Sequence, residues 1–194
     1  QKLKEEFVVD EIIKVTRNKE LQNEKDYFFI DDYENLQNFY QKYSPNIGDI
    51  IVLAFAYLGN TGYENTLPLS LEIKNQNKVY GVNLWKMIKA LNFSINFLST
   101  YGGTIVYLSS AAAYPPRASN IPYGLSKYFI DKKIKLEKQY LKTKKINVLS
   151  VKIGYVDTPL NKGRKPTPFS STSKKVSESV YQGYVNGKKS IYIP

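Results

Sequence analysis

Tyr123 and Lys127 stand four residues apart in Tyr123-Gly124-Leu125-Ser126-Lys127, near the start of a predicted helix. Side chains at i and i+4 share one helical face, so this phenol and this ammonium can serve a single site. A neighbouring ammonium favours the phenolate and lowers the tyrosine pKa. Such a tyrosine can exchange a proton with a substrate oxygen near neutral pH. In a chain with 17 tyrosines and 28 Lys and Arg residues, the pair alone is weakly specific. Two more polar residues sharpen it. Ser110 lies 13 positions before Tyr123, at the end of the strand-like run that begins at Ile105, and Asn83 lies 27 positions before Ser110 in a long helical pattern. Ligands of open parallel sheets bind beyond the carboxyl ends of strands, where Ser110 falls. Singly, Ser110 reads as a strand-end serine and Thr158 as a loop hydroxyl. Asn83 alone reads as a residue satisfying backbone groups at a helix irregularity. Only the joint spacing points to one site.

The missing residue types narrow the chemistry as much. The chain has no histidine and no cysteine, which removes disulfides, thiolate nucleophiles, the usual zinc sites and a Ser-His-Asp triad. Acid and base work falls to Tyr, Lys, Asp or Glu. The formal net charge of +11 would attract nucleic acid, an anionic membrane surface or a phosphate-bearing cofactor. A lysine-rich solvated surface is the simpler account. The densest basic stretch, Lys132 to Lys145, lies on a predicted helix among Ile, Leu and Tyr. It lacks the Arg and Gly of nucleic-acid tails, so nucleic acid is a minor option. No apolar run reaches the roughly 18 residues of a membrane span. The charged opening also lacks the apolar core of a secretory signal, leaving the cytoplasm as the default location.

The elements that must position these groups are legible as alternation. Strands are predicted within Val8–Thr16 and at Tyr27–Ile30, Asp49–Phe55, Thr104–Leu108, Ile146–Val151 and Ser190–Ile193. The third is nearly continuous in apolar residues, as a strand covered on both faces should be. Between them Leu84, Met87, Ile88, Leu91, Ile95 and Leu98 form one helical stripe. Asp32 is placed to cap a helix through Asn35–Tyr43. Further helices are predicted over Ile121–Leu141 and Ser171–Val185. Strand and helix alternating at these lengths predict an α/β fold: a Rossmann-type, doubly wound parallel sheet flanked by helices. At 194 residues and 42% hydrophobic, one core and a single domain over residues 1–194 are expected.

The Asn83, Ser110, Tyr123 and Lys127 set resembles the tetrad of the classical short-chain dehydrogenase/reductase family. The resemblance runs from about residue 10 to the end. It includes Val151-Lys152-Ile153-Gly154-Tyr155-Val156-Asp157-Thr158, which is similar to the family's V-x-P-G-x-V-x-T with Ile153 in place of proline. The resemblance implies that Tyr123 is the general acid or base. It implies that Lys127 lowers the tyrosine pKa and binds the nicotinamide ribose, and that Ser110 polarises the reacting oxygen. Asn83 would hold a water linking Lys127 to solvent, and Gly154, Val156 and Thr158 would cradle the nicotinamide. Ala54 and Phe55, in Leu53-Ala54-Phe55-Ala56, stand where the family has Asn-Asn-Ala-Gly.

Arg17 follows the second family strand, with no carboxylate at its end. An acidic residue there binds the ribose 2′-hydroxyl of NAD, whereas an arginine accommodates the 2′-phosphate of NADP, to which a guanidinium is matched bidentately. NADP(H) is therefore expected over NAD(H). Asp31 resembles the family's acidic residue at the adenine amino group. The first strand and the G-x-x-x-G-x-G loop that would precede Arg17 are absent from the printed residues. Gly59-Asn60-Thr61-Gly62 follows the wrong strand to replace them. Phe55-x-x-Leu58-Gly59, Arg117–Gly124 and Leu160–Gly163 with Pro168 also look like the branch that reduces a decaprenylphosphoryl 2-keto-pentose. There the basic Lys162, Arg164 and Lys165 could meet a phosphate or membrane surface, or form a solvated lid.

The leading function is thus NADP(H)-dependent hydride transfer on a small-molecule carbonyl or alcohol, of a sugar or sugar-lipid, by a homo-oligomer of the dimer or tetramer type. The competing one is a degenerate member that binds a nucleotide or partner without chemistry. A basic nucleic-acid binder ranks below both. So does an extended nucleotide-sugar epimerase, whose substrate lobe needs more C-terminal chain.

Overall fold

The computed structural model describes residues 12, 14–16, 27–29, 37–59, 73–117, 120–161 and 168–194. Arg17, Asp31, Asp32 and the basic residues of 162–167 lie outside them. Six strands are described: β1 (Lys14–Thr16), β2 (Tyr27–Phe29), β3 (Ile50–Leu53), β4 (Gly103–Ser110), β5 (Ile146–Ile153) and β6 (Ser190–Ile193). The helices are α1 (Gln37–Lys42), α2 (Ile73–Tyr80), α3 (Met87–Leu98), α4 (Ile121–Leu136), α5 (Lys138–Thr143) and α6 (Ser173–Val185). A π-helical turn, Gly81–Lys86, joins α2 to α3.

Every strand pair is parallel, as helical crossovers require. The strands form a pair, β1-β2, and a four-stranded sheet in the order β3-β4-β5-β6. The doubly wound dinucleotide fold has the order 3-2-1-4-5-6. Without its position one that order leaves a pair and a block of three; the described strands match it with one further parallel strand, β6, at the end of the block.

Strand parity divides the core. Ile105, Tyr107, Ile146 and Val148 pack with Leu91, Ile95, Leu98 and Ile130 of α3 and α4. Val106, Leu149 and Val151 face the other way and pack with Val180 of α6 and Ile193. The stripe Leu84–Leu98 is helical as its period predicts, with α-geometry only from Met87 onward. β3 departs from expectation: Val52 is 42% exposed, although Ile50 on the same face packs against the core. The helix expected through Leu141 is broken at Glu137, whose ψ of 4° leaves α-geometry. There Glu137 pairs back with Lys133. The break lets α5 bury Leu141 while Leu136 stays at the surface. Gly102, with φ +79°, turns the chain into β4, and a Cβ there would meet the Lys145 carbonyl at 2.7 Å.

Candidate active site

The site is assembled where β4 ends and α4 begins. Pro122, in the first turn of α4, has no N–H to leave unsatisfied and a preset φ, so it suits a helix start. Asn120 just before it donates to the Leu58 carbonyl at 3.2 Å, tying that helix end to the segment after β3. Gly124 sits hard against the β4–α4 loop: a Cβ there would lie 2.6 Å from the Ala112 carbonyl and 3.2 Å from Pro116 Cα. No other residue type permits this approach without a shift. One turn on, the Lys127 ammonium donates to the Leu108 carbonyl at 2.9 Å. These two contacts bracket Ser110 and fix the Tyr123 turn against its strand end.

Tyr123 and Lys127 are both buried, Lys127 to 1% exposure. The ammonium lies 5.9 Å from the Tyr123 ring centroid and 5.1 Å from that of Tyr107. The ammonium thus lies over the Tyr123 ring, as residues four apart on one helix face permit. Burial pulls the Lys127 pKa down from 10.5 to about 8, against the opposing field of Asp131. The Ser110 hydroxyl accepts from the Ala112 amide at 3.1 Å and reaches the Ile153 carbonyl only at 3.5 Å. The second contact is at the limit of a hydrogen bond, so the hydroxyl proton can be redirected to an incoming oxygen.

Asn83 is fully buried in the π turn, and both ends of its amide are engaged with one residue. Its Oδ1 accepts from the Tyr57 amide at 2.8 Å and its Nδ2 donates to the Tyr57 carbonyl at 2.7 Å. The side chain thus anchors the segment following Ala54 and Phe55. Phe55 is half-buried against the α3 core, and Ala54 is exposed. The β5–α6 loop holds the remaining expected residues. The Gly154 amide donates to the Ile193 carbonyl at 2.7 Å, and its α-carbon abuts Pro194, where a Cβ would meet backbone at 2.7 Å. Val156 is buried and bridged to Ser171. Thr158 Oγ1 is 3.4 Å from the Val156 carbonyl, which Asn161 occupies more closely at 2.9 Å.

Sequence reasoning passed over Asp131. It lies four residues beyond Lys127, on the same face by the rule that paired Tyr123 with Lys127. Its buried carboxylate accepts from the hydroxyls of Ser109 and Ser150 at 2.5 Å each and of Tyr114 at 3.2 Å. A cavity of about 200 Å³ opens beside this cluster, lined by Ala111, Tyr114, Pro115, Arg117, Lys152 and Tyr192. Lys152 sits 4.3 Å over the Tyr114 ring. Among the described residues no cluster of acidic side chains could hold a metal, and no helix is long and apolar enough to cross a membrane.

A parallel sheet with helices on both faces, and a buried Tyr-Lys pair at a strand's carboxyl end, define a Rossmann-type α/β protein. The chain belongs to the short chain dehydrogenase family, whose family model matches residues 10–168. An uncharacterized oxidoreductase of Mycobacterium tuberculosis is 28% identical over 145 residues, covering 74% of this chain and 56% of that protein. The chain thus spans a little over half the length of this curated relative. In structure it is similar to a short chain dehydrogenase from Burkholderia cenocepacia in complex with NADP, with a TM-score of 0.79 at 14% identity, covering 95% of this chain and 77% of that one. A short-chain dehydrogenase from Sphingobium yanoikuyae in complex with NADPH gives a TM-score of 0.77 at 15% identity, covering 100% of this chain and 81% of that one.

Proposed function

We propose that this chain carries the catalytic core of an NADP(H)-dependent oxidoreductase that reduces a carbonyl or oxidises the corresponding alcohol. The observation that carries the reading is the buried Lys127 ammonium, fixed on the Leu108 carbonyl and turned toward Tyr123. An ammonium is costly to bury unless its charge is used or compensated. Beside a phenol it stabilises the phenolate, so Tyr123 can give a proton to a carbonyl oxygen and regain it. Ser110 would donate to the same oxygen, where charge develops.

The donor set fits a nicotinamide cofactor. Lys127 has three N–H groups and the Leu108 carbonyl takes one, leaving donors for ribose hydroxyls. The Thr158 hydroxyl is held weakly enough to turn toward a ligand. Gly154, Val156 and Thr158 would flank the nicotinamide end, with Ala54 and Phe55 along the segment that Asn83 anchors. When bound, the cofactor supplies or accepts the hydride. Preference for NADP(H) rests on Arg17, and an adenine contact rests on Asp31. The water-holding assigned to Asn83 would fall to backbone of the π turn, since the Asn83 amide is committed to Tyr57.

A keto sugar carried on a lipid phosphate is the finer substrate reading. It is supported by the Arg117–Gly124 resemblance and by the two cations, Arg117 and Lys152, that line the cavity next to Ala111. The test is NADPH oxidation by the full-length protein with keto-sugar substrates, with and without the phosphate. Tyr123→Phe should lower kcat by about 10²–10⁴-fold while the melting temperature holds. Undiminished turnover in that variant would remove Tyr123 from the chemistry and leave a binding protein as the better reading.

A further inference from the structure

Asp131 is a buried charged group that the proposed chemistry leaves without a task. Three hydroxyls solvate its carboxylate in place of water, and they come from three places: Ser109 on β4, Ser150 on β5 and Tyr114 in the β4–α4 loop. Strand parity makes this possible. Ser109 follows Ile105 and Tyr107, and Ser150 follows Ile146 and Val148, each on the face that α4 covers. Two adjacent strands thus end their apolar rows in a hydroxyl, and both hydroxyls meet the one carboxylate. A buried charge persists only when paired or fully hydrogen-bonded. Asp131 has the hydrogen bonds, and the buried cation one turn away on its own helix is Lys127.

We propose that Asp131 is a positioning residue that keeps the Lys127 ammonium charged at neutral pH, and so sets the alkaline limit of Tyr123 function. The last clause rests on the function proposed above. The groups facing Lys127 are few. From α4 these are Tyr123 and Asp131; from β4, the Tyr107 ring and the Leu108 carbonyl. Tyr114 reaches the cluster only through Asp131, Ser150 of β5 is neutral, and Lys152 lies over the Tyr114 ring. Tyr107 cannot supply the anion. Burial, with Asp131 adding to it, drives its pKa well above the ordinary tyrosine value. Asp131 is the carboxylate whose field opposes the burial of Lys127. Without that field, desolvation acts alone and the ammonium gives up its proton at lower pH.

The test is an NMR titration of the full chain with isotope-labelled lysine, without substrate or cofactor, the Lys127 signal being identified by its loss in Lys127→Arg. In the wild type the midpoint should fall at about 8. In Asp131→Asn it should drop by about one pH unit or more, while Asp131→Glu, which keeps the charge, should stay near the wild type. If Asp131→Asn does not fold, Asp131→Ser, small enough to admit a water among the three hydroxyls, carries the same expectation. The alkaline limb of NADPH-dependent reduction should move with the titration. An unmoved midpoint in a variant that melts like the wild type overturns the proposal. A midpoint that moves in a protein without reductase activity upholds the coupling and counts against the enzymatic reading alone.

Discussion

The two faces of β4 and β5 are made from the same strands and do different work. Toward α6 the rows stay apolar along most of their length, with Val106, Leu149 and Val151 closed over by Val180, Val176 and Tyr184. Toward α3 and α4 they begin apolar and turn polar: Ile105 and Tyr107 give way to Ser109, and Ile146 and Val148 to Ser150 and then Lys152. The change comes at the carboxyl ends, beside the Tyr123–Lys127 turn. One face is mostly packing, its β4 row ending in Ser110. The other accepts the cost of a buried lysine and a buried carboxylate, and arranges hydroxyls and a carbonyl so that neither charge lies bare.

The comparison can be broken by substitutions that should affect one face without the other. The largest stability effect belongs to the dry face. Leu149→Ala removes a side chain 1% exposed and should cost about 2–5 kcal/mol in denaturant unfolding, with the Lys127 titration midpoint unchanged. A midpoint that moved with it would mean the faces are not independent. Gly124→Ala should cost less, about 1–3 kcal/mol, because the new Cβ collides with the Ala112 carbonyl. It should nevertheless lower turnover more than Leu149→Ala does, since the displaced turn carries Tyr123. Equal turnover in the two variants would show that the Gly124 contact is mere packing.

The smallest effect is one of pH. Lys127 binds its proton less tightly when folded, with a pKa of about 8 against 10.5. Between those values the unfolded chain holds more protons, so this group's contribution to stability rises with pH across that window and is least favourable below it. Thermal melts of the wild type should therefore gain on those of Lys127→Met as pH rises from about 8 to about 10. Curves that run parallel would place the ammonium in a wetter setting than the structure gives it.

Sequence reading brought Tyr123 and Lys127 together because their relation is local. A phenol and an amine four residues apart must share a helix face whatever surrounds them, and the parallel α/β class follows from alternating periods in the same way. Among the described residues β3, β4, β5 and β6 were legible to within a few residues, with β6 found at its full length. Asp131 obeyed the same four-residue rule and was still passed over. Nothing local distinguishes it from a solvated acid in a lysine-rich helix; it becomes notable only when β4 and β5 bring Ser109 and Ser150 to it. Asn83 differs: the family resemblance, not local geometry, implied its place in a proton path, and only the fold reveals that its amide is bonded to Tyr57, 26 positions away.

By itself, then, the order of residues determined which side chains stand on one face of α4, where strands and helices alternate, and that acid–base work excludes histidine and cysteine. The tertiary structure alone decided which of those side chains are buried, what each polar atom is bonded to, and that Glu137 interrupts the long helix. The physical reason is one of range. Helical and strand periods are written over a few consecutive residues, whereas the partners of a buried charge are supplied by strands distant in sequence, and only their register brings them within bonding distance.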